Sequence, residues 1–259
     1  MTKVVILAGG LGTRLREETE FKPKPMVEIG GLPILWHIID NFRTAGFNEF
    51  IIATGYKGNV IKEFFFNLNA YINDFSVEYG SKNKIEFHSN SSVLNHFKVS
   101  VVDTGLNTFT GGRIKKLREY IGGDDFICTY GDGLSNVNPN DLLDFHRKQK
   151  RIATVTAIKP RSRFGQLHIS ESGIVNEFQE KPVMDEWVNG GFFVFSKLIF
   201  DYLGDNDVLE ESPLVKLVAD GQLAAYKHTG FWFAMDTYRE FLELNSLWDR
   251  GETPWKIDH

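Results

Sequence analysis

The residues best equipped for chemistry stand at the start of the chain. Leu7-Ala8-Gly9-Gly10-Leu11-Gly12-Thr13-Arg14 places three glycines in four positions ahead of a hydroxyl and a guanidinium. Glycines let backbone N–H groups approach phosphate oxygens with no Cβ in the way, and Arg14 can fork onto those oxygens bidentately. A triphosphate is the natural guest of such a loop. Neither common alternative fits the spacing: no Gly-Lys-Ser/Thr is present for a Walker loop, and Leu15 stands where the dinucleotide fingerprint needs a third small residue. A plain glycine turn between strand and helix stays open at this point.

Lys22-Pro23-Lys24-Pro25-Met26 follows, two cations on a proline-stiffened stretch that cannot lie inside a helix. The lysines are therefore expected to be presented rather than packed, toward a ligand or toward solvent. Phosphoryl chemistry on a triphosphate calls for a hard divalent cation, usually held by one or two carboxylates together with the phosphates. Asp132, in Tyr130-Gly131-Asp132-Gly133, is placed to supply one at a strand end, although Gly-Asp-Gly also suits a simple turn. Asp236 offers a second, with the alternative that it only caps the helix that follows. Later in the chain, Glu180-Lys181-Pro182 and Asn189-Gly190-Gly191 set polar groups at strand ends. Lys181 can meet a phosphate dianion, and Glu180 and Asn189 can bond sugar hydroxyls; a surface ion pair and a turn are the bland reading.

The elements that would hold these groups can be read from periodicity. Apolar runs at Lys3–Ala8, Glu49–Thr54, Val99–Val102 and Asp125–Tyr130 alternate with helical segments at Ile34–Ala45, Gly58–Phe66, around Ile114–Tyr120, and from Pro139 towards Gln149. This alternation predicts an α/β, Rossmann-like fold with a largely parallel mixed sheet, in which ligands gather at the carboxyl ends of the strands. After Arg151 come strand-like pieces at Ala153–Lys159, Gln166–Ile169, Ile174–Gln179, Asn189–Phe195 and Leu223–Lys227, with helices near Glu210–Ala219 and Thr237–Asp249. The expected organisation is a single domain over 1–259, with a nucleotide-binding half to about residue 150 and an added mixed-sheet, sugar-phosphate-binding half from about 151 to 259. The Asn- and aromatic-rich stretch Asn67–Phe97 has weak periodicity and suits an excursion used for subunit contact.

With 259 residues, 42% of them hydrophobic, the chain can bury a sizeable core. Its net charge of −5 argues against nucleic acid or an anionic membrane as partner. No apolar run is long enough to span a bilayer, and a cytoplasmic location is expected. Cys128, the single cysteine, allows neither an internal disulfide nor a cysteine metal cage.

The glycine loop and the Lys-Pro-Lys-Pro-Met element together resemble the sugar nucleotidyltransferase family, whose signature L-A-G-G-x-G-T-R-L followed by x-K-P-K-P-M stands here in full. The resemblance implies that Leu7, Ala8, Gly9, Gly10, Gly12, Thr13 and Arg14 bind the nucleotide, and that Lys24 meets the phosphates at the reaction centre, with Arg14 and Lys24 catalytic. It also implies that Asp132 and Asp236 bind Mg2+, and that Glu180, Lys181, Asn189 and Gly190 line the sugar-phosphate pocket. Thr110 and Arg113, in Thr110-Gly111-Gly112-Arg113, match a nucleotide-contacting stretch, where Arg113 can donate to a base carbonyl; polar residues capping a helix at Ile114 are the alternative.

The likeness runs through nearly the whole chain and is greatest to the branch that transfers a cytidylyl group from CTP to glucose 1-phosphate. That branch implies a CDP-glucose product for lipopolysaccharide O-antigen deoxysugars and a homo-oligomer, with a hexamer among the expected states. The same chemistry with UTP or dTTP, and an inactive nucleotide-sugar-binding regulatory module, are the competing readings. An NAD-dependent oxidoreductase is disfavoured by the incomplete fingerprint.

Overall fold

A computed structural model describes residues 2–88 and 96–257. The stretch Asn67–Phe97, expected to serve subunit contact, lies partly outside the described residues.

Seven strands form the central sheet: β1 Val4–Ala8, β2 Glu49–Thr54, β3 Lys98–Asp103, β4 Phe126–Tyr130, β5 Ala153–Ile158, β6 Val188–Phe195 and β7 Leu223–Lys227, in the order β7-β5-β6-β4-β1-β2-β3. Every residue of β1 is buried, as befits a strand covered on both faces. Strands β4, β1, β2 and β3 pair in parallel, and β5 pairs in parallel with β7. Only β6 runs against its neighbours β4 and β5. The chain's second half thus extends the sheet begun by its first half.

The helices fall on both faces. Val4, Ile6 and Ala8 pack with α1 (Ile34–Thr44) and α2 (Gly58–Phe66), and with Leu142 and Leu143 of α4 (Pro139–Gln149); Val5 and Leu7 face Ile114 of α3 (Thr110–Lys116) and Leu217 of α5 (Ser212–Ala219). Period-2 alternation within β1 therefore feeds two separate cores. A last helix, α6 (Tyr238–Asp249), packs Leu244 into the first of them.

The helices start and end within two residues of their expected bounds except for α3. The segment near Ile114 begins at Thr110, because Gly111 and Gly112 lie flush against 205–207, where both amides donate to Asp207 O at 2.9 and 3.2 Å. It then breaks after Lys116 and resumes at Arg118–Ile121.

Two local features place the chemistry. The carboxyl ends of β1 and β4 lie side by side, so that Gly131 N donates to Leu7 O at 2.9 Å. A short antiparallel pair, Gly133–Ser135 with Trp232–Ala234, ends in the register Ala234↔Gly133 and continues as Met235 N to Asp132 O at 3.0 Å. That pairing sets Asp132 and Asp236 across from one another although 104 positions separate them in the sequence.

Candidate active site

The three loop glycines do different work. Gly10 opens freely into the cavity, with nothing within 4 Å of where a Cβ would stand. Gly12 holds φ +63°, the left-handed region that favours glycine, and starts the short helical turn Thr13–Leu15 that carries Arg14. Gly9 is small for another reason: a Cβ there would lie 2.1 Å from Arg113 Cζ. Its side-chain space is filled by protein and not by phosphate.

Arg113 lines the same cavity and is at the same time bound into the protein around it. The guanidinium, predicted to address a base carbonyl, is turned into the protein at 4% exposure. Its Nη1 reaches Thr54 O, Thr104 Oγ1 and Gly105 O at 2.6–2.9 Å, and its Nη2 reaches Gly9 O at 3.0 Å and Leu106 O at 3.3 Å. Burial lowers its pKa against the pull of Asp103. Arg113 thus ties the loops after β1, β2 and β3 together from beneath and has its terminal nitrogens engaged. Thr110 is also held by protein: its hydroxyl donates to Glu210 at 2.8 Å and accepts from Leu209 N at 2.8 Å.

A cavity of about 340 Å3 lies above this floor. Leu7, Ala8, Gly9, Gly10, Gly12, Thr13, Arg14, Lys24, Thr110, Arg113, Asp132 and Asp236 all line it, so the structure brings these sequence-predicted residues together. Lys24 enters from a 3-10 turn, Lys24–Met26, closed by Met26 N to Pro23 O and Val27 N to Lys24 O. Far from waving in solvent, its side chain is 11% exposed, and its Nζ stands 2.6 Å from both Asp132 Oδ2 and Asp236 Oδ1. Burial alone would lower the Lys24 pKa, but Asp132 and Asp236 outweigh it and hold the ammonium above its ordinary range. Asp236 shows the converse: burial would raise it, and Lys24, with Arg14 and Arg163, keeps it below the usual carboxylate value.

The cap of α6 is Thr237 and not Asp236. Thr237 accepts from Glu240 N while Glu240 accepts from the amides of Thr237 and Asp236, a reciprocal capping box. Relieved of capping, the Asp236 carboxylate faces the cavity and takes Arg14 Nη1 at 3.0 Å.

The predicted sugar-side residues divide into two groups. Asn189 and Gly190 open β6 at the same sheet edge: Asn189 Oδ1 accepts from Gly191 N at 2.8 Å, and Gly190 O accepts from Trp232 Nε1 at 2.7 Å. Gly191, at φ +79°, seats the ring of Tyr130, which lines the cavity. Glu180 and Lys181 lie at the end of the exposed hairpin Gln166–Ile169 with Val175–Gln179, 3.6 Å from each other, and none of the four predicted sugar-side residues is among those lining the cavity.

Sequence reading missed several neighbours. Tyr130, Phe109 and Val208 line the cavity, and Glu210 accepts from both the Tyr130 hydroxyl and Thr110. Arg163 stands 3.2 Å from Glu240 and 3.7 Å from Asp236. Tyr130 adjoins Gly131-Asp132 and could have been taken from that motif, whereas no spacing signals Glu210 or Arg163. Burial and the Glu210 charge hold the Tyr130 phenol far above its ordinary pKa, so it stays protonated.

A glycine loop at the carboxyl end of a parallel strand, with cations and paired carboxylates over a nucleotide-sized cavity, defines an α/β phosphate-handling site of the transferase kind. The chain belongs to the nucleotidyl transferase family, whose description matches residues 3–247. It is 47% identical over 258 residues to the glucose-1-phosphate cytidylyltransferase of Salmonella typhi, covering 98% of each chain. It is 43% identical to the probable glucose-1-phosphate cytidylyltransferase of Bacillus subtilis (strain 168), covering 98% of this chain and 99% of that one. Among solved structures, HddC from Yersinia pseudotuberculosis shares the fold with a TM-score of 0.69 at 24% identity, over 96% of this chain and 100% of that one.

Proposed function

We propose that the protein transfers the cytidylyl group of CTP to α-D-glucose 1-phosphate, giving CDP-glucose and pyrophosphate. The observation that carries the reaction is the convergence of the glycine loop, Arg14, Lys24, Asp132 and Asp236 on one cavity. The choice of CTP and glucose follows the full-length likeness to cytidylyltransferases.

The sugar phosphate's second pKa is about 6, so its attacking oxygen is anionic near neutrality and needs no general base. That oxygen bonds to the α-phosphorus while the bond from the α-phosphorus to the bridging oxygen breaks, and the electron pair leaves with pyrophosphate. Lys24 lowers the repulsion between the two anions, and Arg14 with the amides of the glycine loop steadies the departing phosphates. Asp132 and Asp236 suit magnesium: both carboxylates reach one point, marked by Lys24 Nζ, and two carboxylates completed by phosphates are its usual protein share. When bound, the ion supplies charge neutralisation on the triphosphate. Asn189 and Gly190, beside Tyr130, receive the sugar in this reading; Glu180 and Lys181 serve it if the 166–179 hairpin folds toward the cavity.

We further infer a cytoplasmic homo-oligomer whose CDP-glucose feeds the making of surface-polysaccharide deoxysugars. The exposed hairpin Asp74–Glu78 with Lys84–His88, bearing Phe75, Ile85 and Phe87, supports the assembly, and light scattering at known concentration tests it. The reaction is tested by pyrophosphate release with glucose 1-phosphate and magnesium, comparing CTP, UTP, dTTP and ATP. Fastest release with CTP supports the assignment. Fastest release with another nucleotide keeps the mechanism and replaces the base.

A further inference from the structure

Charge balance at the paired aspartates turns on Lys24. Its ammonium is 2.6 Å from a carboxylate oxygen of Asp132 and 2.6 Å from one of Asp236, deep in the cavity wall. The other oxygen of Asp236 takes Arg14 at 3.0 Å and Arg163 at 3.7 Å, and Arg163 also meets Glu240 at 3.2 Å. Three cations therefore face three carboxylates, and the cluster is formally neutral with protein groups alone. A divalent ion moving between Asp132 and Asp236 would add two positive charges to this neutral cluster, against an ammonium already in contact with both ligands. Like charges at such separations in a partly desolvated wall repel by far more than in water.

We propose that Lys24 is an internal counter-cation that closes the aspartate pair to a divalent metal until a triphosphate arrives, so that metal and nucleotide enter together. This rests on the proposed reading of Asp132 and Asp236 as metal ligands. A metal-bound triphosphate is net anionic and offers Lys24 and Arg14 new partners, which frees both carboxylates as the metal reaches them. The transfer needs little motion of the chain. Pro23 and Pro25 stiffen the turn on either side of Lys24, and Met26 N to Pro23 O closes it at 2.8 Å, so the exchange falls to the flexible four-carbon side chain. The device would spare the site from filling with metal in an unproductive, nucleotide-free state.

The test is Mn2+ binding to the full-length protein without nucleotide, read from the electron paramagnetic resonance signal of free Mn2+. Wild type should leave Mn2+ free up to about the millimolar range, whereas Lys24→Met should bind it on the order of 10-fold more tightly or better, since a contacting like charge is gone. Lys24→Arg, which keeps the cation, should behave as wild type, and adding Asp132→Asn to Lys24→Met should abolish the gain. Wild type binding Mn2+ as tightly as Lys24→Met overturns the proposal, as does a gain that survives Asp132→Asn. Should Lys24→Met not fold, wild type alone decides. A non-hydrolysable CTP analogue must then raise Mn2+ uptake beyond what the analogue holds by itself, and tight uptake without it is the contrary result. Turnover with CTP is measured separately: turnover together with tight nucleotide-free Mn2+ binding defeats the gate and leaves the transferase reading standing.

Discussion

Two arginines of one cavity carry opposite duties, and substitution separates them. Arg14 is exposed, with 69% of its side chain open, and its partner is the cavity-facing carboxylate of Asp236. Such a pair contributes about 0–1 kcal/mol to folding, so Arg14→Ala should leave the melting temperature nearly unchanged. Its turnover should fall by on the order of 10²-fold, the scale of losing one preorganised electrostatic stabiliser, and Asp132→Asn should lose as much. Near-wild-type kcat in either variant would remove that residue from the mechanism. Arg113 is the reverse case, buried against four backbone carbonyls and the Thr104 hydroxyl. Arg113→Met leaves those acceptors unpaired and should cost at least about 1–3 kcal/mol, read as a lower urea midpoint at constant slope. Because Gly9 O is one of the acceptors, the nucleotide KM should rise as well.

At the scale of elements, the position of Asp236 depends on how α6 begins. Thr237→Ala removes the hydroxyl that receives Glu240 N and should cost about 1 kcal/mol, while Thr237→Ser should be close to neutral. If the cap also orients Asp236, whose amide shares Glu240 with Thr237, kcat should drop in the alanine variant and recover in the serine one; steady-state kinetics beside thermal melts would show whether the two losses travel together. The elements themselves were largely legible. Buried parallel strands read as unbroken apolar runs, so β1 and β2 stood out, and α4 announced itself with Pro139 at its start. Less legible was whatever depends on distant backbone. The pairing of Gly133–Ser135 with Trp232–Ala234, which unites Asp132 and Asp236, has no local signature, and the likeness to a family had to stand in for it. The partners of Arg113 were hidden for a similar reason: its acceptors are mostly main-chain carbonyls, to which residue type offers no clue. The early start of α3 escaped notice because its first turn, Thr110-Gly111-Gly112, owes its form to Asp207 nearly 100 residues on.

For the whole molecule, pH should act on stability through histidines that sit well away from the cavity lining. His37 bonds Ile29 O at 2.8 Å and packs edge-on against Trp248 and Trp255, so it joins the N-terminal part of the chain to the last helix and the segment after it. His146 meets Thr154 Oγ1 at 2.9 Å between α4 and β5, and His228 follows β7. Burial is the leading cause in each case, and each pKa is held below the ordinary 6.5. The unfolded chain therefore takes up protons near 6.5 that the folded one refuses until lower pH. Below that value the unfolded state binds more protons, so stability is at its full level above about pH 6.5 and falls as pH drops through the window down to the lowered folded values. Melting temperatures measured from about pH 7.5 to about pH 5.5 should decline well before carboxylates titrate. His37→Gln should flatten the decline even where packing loss lowers the melting temperature at every pH, because slope reports protons and offset reports contacts. An unchanged slope in that variant would mean that His37 takes its proton in the folded state as readily as in the unfolded one, and the junction it makes with Trp248 and Trp255 would then be open to water.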